Sequence, residues 1–246
     1  AAPFFTRHGI AVYAYDQRGF GRSANRGRWP GKDIFAQDAQ TFAHLLRTQF
    51  PHTPLFLLGH SMGAAVAVHA LASTPMDVDG IILAAPAISG WSTMPWWQRW
   101  GLKLAAHTIP WNTFTGQSLH ITASDNRKML IALGRDRLVI KETRVDTIYG
   151  LVNLMEAAYR SASALHAPAL ILYGEKDEVI AKAPVLETFG PLARNNADIR
   201  LQIYKNGYHM LLRDLQAEVV WRDITSWIHQ HHAPLPSQQQ GLSKPG

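Results

Sequence analysis

Short apolar runs separated by longer, helix-patterned segments set the rhythm of the first third of the chain. Residues 10–15, 55–58 and 80–85 read as buried strands, and residues 33–50 and Met62–Ser73 lie between them with helical spacing of their apolar positions. Parallel strands need crossover connections, which helices supply, so this alternation predicts a mainly parallel sheet flanked by helices, an α/β fold. Asp33 stands where an N-cap belongs, and Pro51 where its helix has to have ended. After Pro86 the rhythm breaks. Residues 88–165 carry helical periodicity without a convincing buried strand, until Pro168 introduces the apolar run at residues 169–174. Residues 199–204 then alternate apolar and polar side chains, as a strand nearer a sheet edge does. The expected organisation is one core in two parts, residues 1–87 and 166–232, with residues 88–165 inserted as a helical lid. Residues 233–246, rich in Pro, Gln, Ser and Gly, are expected to form a disordered tail.

The strand at residues 55–58 runs into Gly59-His60-Ser61-Met62-Gly63 and then into an Ala-rich helix. A serine on such a strand-to-helix turn projects its hydroxyl above the sheet edge, and glycines two residues to either side let neighbouring backbone pass. The helix N-terminus beneath it offers free N–H groups and a positive dipole end to developing negative charge. Ser61 is therefore the candidate nucleophile and the Met62 amide a candidate oxyanion donor. A serine nucleophile needs a base and an orienting acid. Glu175-Lys176-Asp177-Glu178 follows the strand at residues 169–174; Asp177 is the preferred acid, with Glu175 and Glu178 as alternatives in the same loop. His209 follows the strand at residues 199–204 and precedes a helix expected to start near Asp214, so it can reach Ser61 from the same sheet edge. His60 is its rival by adjacency, but in so tight a turn it points elsewhere and reads as a packed or hydrogen-bonding neighbour. His229, His231 and His232 sit at a helix end with no carboxylate or cysteine at ligand spacing, and read as a solvated terminus. No metal and no cofactor are expected.

Four segments now stand in register: Asp16-Gln17-Arg18-Gly19-Phe20-Gly21-Arg22-Ser23, GHSMG at residues 59–63, LYGEKDEVI at residues 172–180 and GYHMLLRD at residues 207–214. Together they make the chain resemble the α/β-hydrolase superfamily, and within it the monoacylglycerol lipase and lysophospholipase branch, from the first residues to about Trp227. The resemblance implies Ser61 as nucleophile, Asp177 as acid and His209 as base, and a role for the loop at residues 18–23 in shaping the floor of the site. It also implies a second oxyanion donor from a His-Gly loop after a strand that pairs between residues 10–15 and residues 55–58. No such strand is present. The sequence opens Ala1-Ala2-Pro3-Phe4-Phe5-Thr6-Arg7-His8 without an initiator methionine, and this stretch reads as the helix after that loop. The expectation is an N-terminally incomplete form, lacking the first strands and the oxyanion loop, in which two strand edges stay unpaired or close on each other. Loss of one oxyanion donor costs roughly 2.7–4 kcal/mol of transition-state stabilisation.

The insertion holds Trp91, Trp96, Trp97, Trp100 and Trp111 out of eight tryptophans in the chain. A lid over a serine nucleophile has an underside on the site, so Trp96 and Trp97, with Leu151 and Met155 on the apolar face of a helix at residues 145–159, are candidate contacts for a lipid-like acyl chain. Ordinary packing is equally compatible with each of them. The stretch at residues 125–144 mixes charges and reads as a solvated outer face. At 246 residues, 47% hydrophobic and 17% charged, the chain can bury a sizeable core. Its net charge of +6 is scattered, which argues against a nucleic-acid partner and permits peripheral contact with anionic lipid. The absence of cysteine removes thiolate and disulfide chemistry. No apolar run reaches the roughly 18 residues of a membrane span. Localisation stays between cytoplasmic and membrane-peripheral with export undecided, and the oligomeric state stays open. The predicted function is a serine hydrolase of lipid-like carboxylic esters, monoacylglycerol or lysophospholipid, acting through an acyl-enzyme on Ser61. The alternatives are a non-catalytic lipid-binding or scaffold protein, or a thioesterase or aminopeptidase of the same fold.

Overall fold

A computed structural model describes residues 1–115 and 121–242, without the side chains of residues 240–242. Its centre is a four-stranded, all-parallel sheet in the order β1-β2-β5-β6, made of β1 (Phe56–His60), β2 (Gly80–Ala84), β5 (Ala169–Gly174) and β6 (Ile199–Tyr204). Both central strands, β2 and β5, are buried along their whole length, which is why they read as unbroken apolar runs. The two-residue period sorts their side chains. Ile81, Leu83, Ile171 and Tyr173 join one core, and Ile82, Ala84, Leu170 and Leu172 join the other.

The first core is closed by α2 (Lys32–Gln49), α3 (Met62–Ser73) and α7 (Lys182–Asn195). Helix α3 is small-residue rich and buried almost all round, so it can lie close against β1 while α2 and α6 (Val145–Ser161) cover it. The second core is closed by α1 (Ala2–Arg7) and α8 (Ala217–His229), through Phe4, Phe5, Val220, Ile224 and Trp227. Between β2 and β5 the chain inserts α4 (Trp96–Thr108), β3 (Thr113–Thr115), α5 (Arg127–Arg135), β4 (Glu142–Arg144) and α6; β3 and β4 form a small antiparallel pair. Among the described residues no helix is long and apolar enough to cross a membrane.

Several expectations change. Residues 10–15 join no ladder among the described residues. Between them and the outer edge of β1 lies an apolar cavity of about 800 Å³, lined by Ile10, Val12, Tyr15, Phe42, Leu57 and Leu58 among others. The two backbones therefore stand apart rather than closing on each other, and Leu58 is left 38% exposed. Gly31, not Asp33, caps α2; Asp33 sits in the first turn and accepts from Lys32 and His69. In place of an unstructured tail, the C-terminal residues carry α9 (Pro236–Leu242), which docks through buried Leu235 and through Ser237 donating to Asp223. Residues 243–246 of that expected tail lie outside the described residues.

Candidate active site

The elbow between β1 and α3 forces Ser61 into φ 53° and ψ −117°, a backbone conformation that a residue with a Cβ adopts only where its surroundings impose it. What imposes it is a close approach. A Cβ on Gly59 would lie 2.4 Å from the Gly63 carbonyl oxygen and 2.6 Å from the Ala64 nitrogen, so Gly59 has to be glycine. Gly63 is different, for a Cβ there would meet nothing within 4 Å. The Ser61 amide donates to the Ala84 carbonyl and the Ser61 carbonyl accepts from Ala64 and Ala87, which ties the strained residue to α3 and to the end of β2.

Asp177 and His209 come from the loops after β5 and β6, and these loops touch backbone to backbone. A Cβ on Gly174 would lie 2.5 Å from the Gly207 carbonyl, and the Lys176 amide donates to that same carbonyl. One carboxylate oxygen of Asp177 accepts the Val179 and Ile180 amides at 2.8 and 2.9 Å; the other lies 2.9 Å from His209 Nδ1. A carboxylate in this position accepts, so Nδ1 carries the proton and Nε2 is left to accept. His209 Nε2 lies 3.0 Å from Ser61 Oγ. The Asp177 side chain is fully buried and that of His209 nearly so, which strengthens the pair by keeping water from it.

His60 turns away from the hydroxyl and donates Nε2–H to the His209 carbonyl at 2.8 Å. Burial, opposed in part by that hydrogen bond, holds its pKa below the ordinary histidine value, so it stays neutral. Met62 opens α3, where first-turn amides lack intrahelical acceptors, and it lines the mouth of the cavity beside Ser61. Gln17 and Phe20, from the loop at residues 16–23, line the same cavity. Glu175 pairs with Lys182, and Glu178 accepts the Thr122 amide; neither reaches His209.

The structure thus brings Ser61, Asp177, His209 and Met62 together. It does not bring Trp96 and Trp97 to them: both lie on α4, 73% and 60% exposed, and neither lines the cavity at Ser61. Leu151 and Met155 are half-buried on α6, and Met155 packs against the first core. Sequence reasoning missed Ser124 and Asp214, a buried hydrogen-bonded pair beside the histidine loop. The only signal was an acidic residue, next to Arg213, at the end of the apolar Met210-Leu211-Leu212 run after His209. No residue of the stretch at 125–144 is buried, as expected of an outer face, and Asp125 at its start accepts the Leu215 amide. Among the described residues, no cluster of three or more His, Cys, Asp or Glu side chains is arranged to hold a metal ion.

A serine, histidine and aspartate meeting at the C-terminal edge of a parallel sheet, with the serine on a strand-to-helix elbow, define an α/β-hydrolase. The chain belongs to the Hydrolase_4 family, described as serine aminopeptidase, S33, which matches residues 1–216. It is 26% identical over 240 residues to a monoacylglycerol lipase of Mycolicibacterium smegmatis, covering 92% of this chain and 81% of that protein. It is 28% identical over 239 residues to the monoglyceride lipase of Rattus norvegicus, covering 92% and 76%. Its fold superposes with a TM-score of 0.77 on a soluble variant of monoglyceride lipase from Saccharomyces cerevisiae in complex with a substrate analog, at 20% identity and covering 95% and 81%. The chain thus has the α/β-hydrolase fold and is similar over most of its length to proteins of the monoacylglycerol-lipase branch.

Proposed function

We propose that this hydrolase cleaves monoacylglycerols, or closely similar lysophospholipids, by two-step acyl transfer through Ser61. His209 Nε2 takes the proton as Ser61 Oγ attacks the ester carbonyl. Asp177 holds Nδ1–H and stabilises the imidazolium, and the Met62 amide donates to the oxyanion. The alcohol leaves with the proton from His209; water then attacks the acyl-enzyme by the same route and releases the fatty acid. The observation that carries this reading is the Ser61 Oγ to His209 Nε2 distance of 3.0 Å, with Asp177 2.9 Å from the other ring nitrogen.

Access completes the reading. Trp96, Trp97, Trp100 and Leu104 are all strongly exposed on α4. With the chain's net charge of +6, they suit the boundary of an anionic lipid surface, where indole rings favour the headgroup level. The insertion then acts as a lid whose outer aromatics meet lipid.

The test is a panel of mono-, di- and triacylglycerols, lysophospholipids, a thioester and an amino-acid anilide, alongside labelling by a fluorophosphonate. We expect ester turnover with preference for single-chain lipids, labelling at Ser61, and loss of both in Ser61→Ala by on the order of 10⁴-fold or more. Cleavage of the anilide alone would favour the peptidase description that the family carries. A protein that binds lipid but leaves the probe unreacted would be a scaffold of hydrolase fold.

A further inference from the structure

Asp214 is a buried carboxylate without an ion-pair partner among the described residues. Burying a charge-bearing group is costly unless its oxygens are satisfied, so its two hydrogen bonds ask for a reason. One oxygen accepts the Tyr208 amide at 2.8 Å, immediately before His209; the other accepts the Ser124 hydroxyl at 2.6 Å, from the insertion. The neighbouring contacts repeat this link. The Met210 amide donates to the Ala123 carbonyl, the Asn126 side chain donates to the Arg213 carbonyl, and Asp125 accepts the Leu215 amide. On the other side, the Thr122 amide donates to Glu178, next to Asp177. Residues 122–126 therefore bridge the loop that carries the acid and the loop that carries the base.

Given the reading of His209 as base, we infer that Asp214 is a positioning residue: through the Tyr208 amide and Ser124 it fixes the backbone that aims the imidazole at Ser61. The peptide group after His209 is already held at both ends, its carbonyl by His60 and its amide by Ala123. Asp214 anchors the segment before it. With one anchor removed, the ring keeps its partners but loses orientation. A near-attack geometry tolerates little error, so kcat suffers more than substrate binding.

The experiment compares Asp214→Ala, Asp214→Asn and Ser124→Ala with the unaltered chain, using a short-chain p-nitrophenyl ester, with melting temperature read in parallel. Asp214→Ala is expected to lower kcat at least tenfold with KM within about twofold. Asp214→Asn keeps an oxygen for the Tyr208 amide and is expected to recover kcat to within about threefold of the unaltered chain. Ser124→Ala should fall between. Where turnover is too low to read, or Asp214→Ala does not fold, the downfield Nδ1–H resonance of His209 in Asp214→Asn and Ser124→Ala gives the answer: sharp in the first, broadened in the second. Unchanged kcat in Asp214→Ala, equal losses in the Ala and Asn variants, or an unaltered resonance in Ser124→Ala would overturn the inference. If Ser61→Ala were fully active, the reading of the site itself would fail; a dead Ser61→Ala beside fully active Asp214 variants would remove only the role of Asp214.

Discussion

On the β5 side of Ser61 backbone meets backbone, with Gly174 against Gly207 and the residues around Asp177 and His209 held by hydrogen bonds. On the other side β1 is the outermost strand among the described residues and borders a cavity of about 800 Å³. Packing thus holds Asp177 and His209 in hydrogen-bonding order with Ser61. The two flanks of the same serine are thus built differently, one closed by backbone contacts and the other bordering a cavity.

The largest break in this comparison should come from Gly59→Ala, where the added methyl meets the backbone of α3 and destroys the elbow. A cost of ~3 kcal/mol or more is expected, with fluorophosphonate labelling at Ser61 lost. Gly63→Ala is its control: no atom opposes the methyl, and a helix-favouring residue in α3 should be neutral or stabilising by up to ~1 kcal/mol. Denaturant unfolding of the two variants checks both. Next comes Leu172→Ala, at a position 0% exposed in the closed flank, with an expected loss of about 2–5 kcal/mol. Leu58→Ala, on the cavity side, should cost ~1 kcal/mol or less, because partly exposed atoms lose less burial. Equal costs would mean that the cavity is filled in solution. Gly174→Ala should separate the acid and base loops at a cost of about 1–3 kcal/mol, seen as a fall in kcat with β1 unaffected by hydrogen exchange.

The smallest effect concerns pH. His60 is held below its ordinary pKa by burial, so the unfolded chain takes up that proton before the folded one does. Stability from this source is complete above the ordinary value of 6.5 and declines as pH falls below it. His231, shifted in the same direction by burial, adds to the slope. Urea midpoints at successive pH values should fall on acidification, and fall less in His60→Gln, which keeps a donor for the His209 carbonyl. An unchanged slope in that variant would place the effect elsewhere.

Local signals in the chain were enough for much of this. Helix α3 and strands β5 and β6 begin and end where the sequence pattern puts them, since buried parallel strands and an Ala-rich helix leave little ambiguity. The serine elbow was legible because a strand, a glycine two residues before the serine and a helix must all coincide there. Residues 10–15 misled for the same physical reason: apolarity marks a segment that wants a partner, and pairing is a property of two segments. Trp96 and Trp97 misled in the opposite way, because nothing in a helix's own sequence states whether its apolar residues point to a site or to water.

The sequence by itself determined the class of fold, the elbow at Ser61 and the order in which Asp177 and His209 follow it, since strained turns and buried strands are local demands on residue type. Only the tertiary structure decided which acid of the β5 loop meets His209, and that the insertion reaches back through Ser124 to hold the base loop. It alone revealed the open flank of β1. These are contacts between segments up to about 150 residues apart. Hydrogen bonds at such separations depend on how layers stack, and no local pattern of side chains encodes that stacking.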